Sequence, residues 1–174
     1  AIPGELAGNT PFTASMWFNP TINKAQSYLL AFGSTGTDKA HHTGFPYANG
    51  ILASGFYNRG VDTTYDAPLN RWQHLVLRWD GSSQQSAYIN GVLVSENSGN
   101  GAAPNINAAG VLNVGKQVGH PEYFQGAIDD VRIYNRALSA AEAGRLYNLE
   151  KPSTGGAIPV ITSHPADVNA TTGA

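Results

Sequence analysis

Cysteine is absent from the 174 residues. That removes any disulfide framework, along with thiolate metal sites and thiol chemistry. Secreted eukaryotic β domains often carry disulfides, so the absence points towards a bacterial source. Charge is scarce as well: 13% of residues are Asp, Glu, Lys or Arg, and the net charge is −2. A protein that neutralises phosphates needs a clustered basic patch, and here Lys and Arg are scattered singly, which argues against nucleic acid and anionic lipid as partners. No apolar run approaches the roughly 20 residues of a membrane-spanning helix, so no helical membrane insertion is expected.

Helix-forming stretches are also few. In their place stand 20 glycines and 10 prolines, a composition suited to many strands joined by turns, and hence to an all-β sandwich or barrel. Phe12–Phe18 alternates and ends at Asn19-Pro20, a strand followed by a turn. Ser27–Gly33 is an apolar run of buried-strand character, and Gly50–Tyr57 is a third strand. Residues 35–49 and 58–70, rich in Gly, Thr, His, Asn and Pro, are expected to be loops. Residues 71–80 (RWQHLVLRWD) give the strongest strand signal. Gln73, Leu75, Leu77 and Trp79 form its better core face, although Trp72 on the opposite face is also expected to be covered. Asn90-Gly91 between two short strands is a type I′ hairpin signal, because both central residues need positive φ. Residues 97–109 read as a loop and 111–115 as a short strand.

The segment FQGAIDDVRIYNRALSAAEAGRLYN, residues 124–148, is the most informative in the chain. Ile128, Val131, Ile133 and Tyr134 mark a β-strand interrupted by two carboxylates, Asp129 and Asp130. Ser139-Ala-Ala-Glu142 is a capping box, and Ala143, Leu146 and Tyr147 recur behind it at helical spacing. A strand running into one short helix, near 139–149, is therefore predicted.

Taken together, PFTASMWFNP (11–20), RWQHLVLRWDG (71–81), AYINGVLV (87–94) and this closing segment resemble, in order and spacing, the laminin-G-like domains of the concanavalin A-like lectin/glucanase superfamily. The resemblance implies a two-sheet antiparallel jelly-roll sandwich over residues 1–150, with one short C-terminal helix. It implies carbohydrate-binding or adhesion more readily than catalysis. The family usually opens with an additional strand containing Phe-Asp-Gly, and this sequence starts just after that point, which suggests a missing edge strand.

The resemblance also implies a structural calcium. Related laminarinases hold one on the convex side through an aspartate in a closing strand of this form, and Asp129 matches that position. The remaining ligands there are mostly carbonyls near the N-terminus and at the end of the second strand, here Pro3, Gly4 and Gly33, which suits the hard oxygen donors calcium prefers. The competing reading pairs Asp129 or Asp130 with Arg132 or Arg136.

Catalytic signatures are lacking. Laminarinase-type hydrolysis needs closely spaced carboxylates, carried in that family as Glu-x-Asp-x-Glu on one strand, and none of the five glutamates is followed two residues later by Asp. No nucleophile elbow, zinc-protease helix or phosphate-binding glycine loop occurs. His41-His42 has no third metal ligand in evidence.

Sugar binding needs an aromatic face with hydroxyl donors and acceptors around it. Three segments offer that mixture: 41–49 with Tyr47; 56–65 with Tyr57, Asn58, Arg59, Asp62 and Tyr65; and 120–124 with Tyr123. Arg59 and Arg78 would suit an acidic or sulfated sugar, or pair with Asp62 and Asp80. For any one tyrosine, packing a loop onto the sandwich is the commoner role; it is as a set that they point to a ligand.

Residues 151–157 are a linker by composition, and 158–174 resemble the opening strand of an immunoglobulin-like domain, too short to fold alone. The expected function is that of a non-catalytic carbohydrate-binding module in a larger secreted or cell-surface protein, with a polysaccharide or glycan as partner. The alternative is an adhesion domain with a protein ligand.

Overall fold

The computed structural model describes residues 1–22, 25–47, 50–56, 59–98 and 103–152. Their strands are β1 Phe12–Pro20, β2 Ser27–Gly33, β3 Ala40–Phe45, β4 Ile51–Phe56, β5 Arg59–Asp66, β6 Gln73–Trp79, β7 Gln84–Ile89, β8 Val92–Ser98, β9 Val111–Val114 and β10 Gly126–Tyr134. A 3₁₀ turn, Gly4–Leu6, precedes them, and the helix α1, Ala140–Glu150, follows. The strands form two five-stranded sheets, ordered β10-β1-β6-β7-β8 and β5-β4-β3-β2-β9, with every pairing antiparallel. This is the all-β jelly-roll sandwich with a short C-terminal helix that the sequence implied. The tail beyond residue 152, where most of a linker and an immunoglobulin-like opening strand are expected, lies outside the described residues.

Alternation builds the interior. In β1, Phe12, Ala14, Met16 and Phe18 are fully buried between the sheets, while Thr13, Ser15 and Trp17 face outward. β6 contributes Leu75, Leu77 and Trp79 to the same core. Phe12 meets Phe32 edge-on at 5.1 Å across the two sheets, and Phe56 meets Trp79 at 5.0 Å. Truncating such a buried ring typically costs about 3–5 kcal/mol.

The outer face of the first sheet is covered by α1. Ser139 Oγ accepts from the Glu142 N–H at 3.2 Å, and the Ser139 N–H donates to Glu142 Oε2 at 2.7 Å, completing the capping box. Ala143 and Leu146 then pack on Val76 and Tyr88, and Tyr147 lies against the rings of Trp17 and His74. This is why His74 and Val76 are buried on a face that alternation alone assigns to solvent. At the β7–β8 turn Asn90 and Gly91 have φ of 51° and 78°, as a type I′ hairpin requires.

Two segments expected as loops are strands. β3 carries Ala-His-His-Thr-Gly-Phe and pairs on both sides, with β2 and β4. β5 pairs with β4 from Arg59 to Asp66. Neither has the Val/Ile density of β6; they are held by ladder pairing and neighbours, which override intrinsic preference in sheets. Trp72, expected to be covered, precedes β6 and is 47% exposed.

Candidate functional site

Among the described residues no helix covers the outward face of the second sheet. Adjacent residues of β3 point apart there: His41 turns into the core and His42 turns out. His41 sits among Phe12, Phe32 and Phe56 at 5.0–5.5 Å, with its Nε2 at 3.3 Å from Ser54 Oγ. Burial, reinforced by His42, pushes its pKa down to about 3. His42 lies on the opposite side with Tyr28 of β2, Ala53 of β4 and Asp62 of β5, where Asp62 pairs directly with Ala53.

These side chains floor a cleft of about 520 Å³, whose walls are completed by Gln26, Pro46, Tyr47, Gln117, His120 and Glu122. That is within the size range of small-molecule clefts. Tyr47 is 52% exposed and presents an open ring. Burial lowers the pKa of His42 to about 4, so its ring is neutral near pH 7 and offers one donor and one acceptor. Tyrosines, amides, imidazoles and two carboxylates thus converge on one concavity, a donor set suited to hydroxyl-rich ligands.

The wall formed by residues 115–124 is fixed by backbone bonds. The Gln117 N–H donates to Glu122 O at 3.0 Å, and the Phe124 N–H donates to Gly115 O at 2.9 Å. Lys116 and Tyr123 form the bridge between those two bonds. At its tip Gly119 has φ +74°, and a Cβ there would lie 2.3 Å from Thr35 Cγ2, so the turn demands glycine.

Of the expected sugar-binding residues, Tyr47 and Asp62 line the cleft. Tyr123 stands next to its wall, 54% exposed, with Lys116 Nζ at 5.4 Å from its ring centroid. Arg59 opens β5 opposite Phe56, whereas Tyr57 and Asn58 lie outside the described residues. Tyr65 turns the other way: it packs against the core and its hydroxyl donates to Gln73 Oε1, a partner only 2% exposed. Arg78 is on the first sheet, bonded to Gln84 Oε1 at 2.8 Å, and is no part of the cleft. Gln26, Tyr28, His42, Gln117, His120 and Glu122 were not singled out as sugar ligands. A strand assignment for 40–45 would have revealed His42, because alternation sends one of two adjacent histidines to each face.

The four residues expected around calcium do not gather. Pro3 lies beside Ile133–Asn135, and the Ile2 N–H donates to Ala108 O at 3.3 Å. Gly33 ends β2 opposite Ala40 and Val111, closely packed against Gly110. Asp129 pairs with Trp17, and five residues of strand separate it from Tyr134, roughly 15 Å. Its surroundings are Trp17, Trp72, Asp130, Glu150 and Pro152. Asp129 Oδ1 accepts from the Asp130 N–H at 2.8 Å, and Asp130, at φ +50° in the β1–β10 bulge, lies 3.4 Å from Arg132. This donor set does not fit one calcium shell. Among the described residues no three His, Asp or Glu side chains are grouped as a metal site.

The fold and its open-faced cleft define a lectin-like jelly roll. A family model described as the concanavalin A-like lectin/glucanases superfamily matches residues 1–144, and the chain belongs to that family. No curated protein matches it in sequence. Among solved structures it is similar to domain 4 of AbnA, an extracellular arabinanase from Geobacillus stearothermophilus, in complex with arabinotriose. Identity there is 24%, the TM-score is 0.64, and the match covers 84% of this chain and 70% of that one. The CBM40 module of a Ruminococcus gnavus sialidase, bound to α2,3-sialyllactose, matches at 18% identity and TM-score 0.65 over 79% of this chain and 83% of that one. Botulinum neurotoxin type C, whose cell entry depends on two ganglioside molecules, matches at 16% and 0.60 over 84% and 37%. At these identities the likeness is one of fold.

Proposed function

We propose that this chain is a non-catalytic carbohydrate-binding module that holds a polysaccharide or glycan in the cleft on the outer face of the second sheet. The observation that carries the reading is the convergence of Tyr28, Tyr47, His42, Asp62 and Glu122, from four separate segments, on one concavity. Tyrosine rings supply apolar faces for sugar C–H groups, and the carboxylates, amides and imidazole pair with hydroxyls. The glycan-bound domains of similar fold support it. In this reading the module serves a secreted or surface protein, such as a polysaccharide-degrading enzyme, by keeping it on its substrate. Among the described residues no helix is long and apolar enough to cross a membrane.

Affinity gel electrophoresis against plant and marine polysaccharides tests the reading. At least one polymer is expected to retard the chain, and Tyr47→Ala and Asp62→Ala are each expected to weaken retention tenfold or more at an unchanged melting temperature, since both residues are exposed. Binding that survives both substitutions would move the site elsewhere. Release of reducing ends by the isolated chain would replace a binding role with a catalytic one.

A further inference from the structure

We infer that the cleft selects uncharged glycans and rejects uronic-acid, sialylated and sulfated ones, with Asp62 and Glu122 as the residues that set this preference; the inference rests on the binding role proposed above. Among the described lining residues there are two carboxylates and no lysine or arginine. The nearby cation Lys116 lies over the Tyr123 ring, outside the lining, and Arg78 is committed to Gln84 and Ser86 on the other sheet. His42 offers no compensating positive charge, since burial keeps its ring neutral.

A carboxylate only accepts hydrogen bonds, and charge strengthens each one. Two carboxylates, Asp62 in the floor and Glu122 in a wall, therefore suit a ligand that presents hydroxyl donors in more than one direction, as the diols of a neutral sugar do. An anionic sugar brings a like charge into the same cleft, which opposes binding and favours discrimination by repulsion as much as by attraction. The carboxylates also come from independent elements. Asp62 is placed by the β4–β5 ladder, and Glu122 by the turn that Gly119 closes. Two separate elements thus supply the negative charge among the described lining residues.

The test compares retention in gels containing neutral polymers (arabinan, galactan, mannan, β-glucan) and anionic ones (polygalacturonate, alginate, sulfated galactan) at low and at physiological salt. Retention is expected from one or more neutral polymers, at least tenfold stronger than from any anionic polymer at low salt, with the gap narrowing as salt screens the repulsion. Asp62→Asn with Glu122→Gln is expected to weaken neutral binding and shrink the neutral-to-anionic ratio, because amides keep the shape but lose the charge. An anionic polymer bound as tightly as a neutral one overturns the selectivity and leaves the binding module standing. A ratio unchanged in the double variant removes the two carboxylates as its cause. Retention by no polymer in either group overturns the binding role and the selectivity together.

Discussion

At the scale of single residues, the two adjacent histidines show how one alternation produces two environments. His41 is enclosed by three phenylalanine rings and His42 by the cleft, and burial holds both well below the usual imidazole value, at about 3 and about 4. His74, between Trp17 and Tyr147 under α1, is likewise lowered to about 4, by burial and then by Arg132. A histidine whose folded pKa is depressed binds its proton more readily when unfolded. Its stabilising contribution is therefore complete above about pH 6.5 and is lost as pH falls from there towards the folded value. His41 alone gives a slope of about 1.4 kcal/mol per pH unit across that window. The melting temperature is expected to fall steadily from pH 7 to pH 4, and His41→Phe is expected to flatten the profile. A profile that stays level to pH 4.5 would show that His41 takes up its proton without unfolding the sandwich.

Among the elements, the turn that walls the cleft gives the sharpest prediction. Gly119→Ala places a side chain at positive φ, which costs roughly 1–2 kcal/mol, and presses it against Thr35 Cγ2. The turn must shift, and Glu122 moves with it. Glycan retention is expected to drop at least tenfold in the variant and to recover in part when Thr35→Ala removes the obstructing methyl; equal retention in Gly119→Ala would mean that this wall does not touch the ligand. Elements with a local signature were legible in the sequence. The capping box at Ser139 and Glu142, the Asn90-Gly91 turn and the β6 core face depend on neighbouring residues or on a period of two, and a chain displays both directly. β3 and β5 were not legible, because their Gly, Thr, His and Asp content is that of a turn, although both pair with neighbouring strands. The cleft inherits that limit. Tyr47 and Asp62 were visible as sugar-binding types, but Tyr65 was indistinguishable from them until its hydroxyl was seen to bond Gln73 inside the fold. His42, Gln117 and Glu122 acquire a common purpose only when β3 and the 115–124 turn close on the same face.

For the molecule as a whole, the question is what ties the closing strand and helix to the rest of the sandwich. β10 pairs with β1 along its length, and the chain then crosses to α1 through the buried Thr13. Thr13 Oγ1 donates to Arg136 O at 2.9 Å and accepts from the Leu138 N–H at 2.9 Å, with the side chain fully buried. Arg132 pairs with Glu150, and Arg136 with Glu142 at 2.8 Å, so the two arginines from β10 to α1's first turn reach helix carboxylates. Protein groups thus tie the closing segment to β1 and α1, while Asp129, opposite Trp17, stands apart from Pro3, which lies beside Ile133–Asn135. The melting temperature is expected to agree within about a degree between excess EDTA and millimolar calcium; saturating a native-state site at a hundredfold excess would add about 2.7 kcal/mol, several degrees for a domain of this size. Thr13→Val is the positive control. It keeps the volume but strands a buried N–H and a carbonyl, a loss of about 1–3 kcal/mol, so the melting temperature is expected to fall by roughly 3–10 °C. A chain that melts several degrees lower in EDTA, with the difference abolished in Asp129→Ala, would assign the closure to calcium instead of to Thr13 and the arginine pairs.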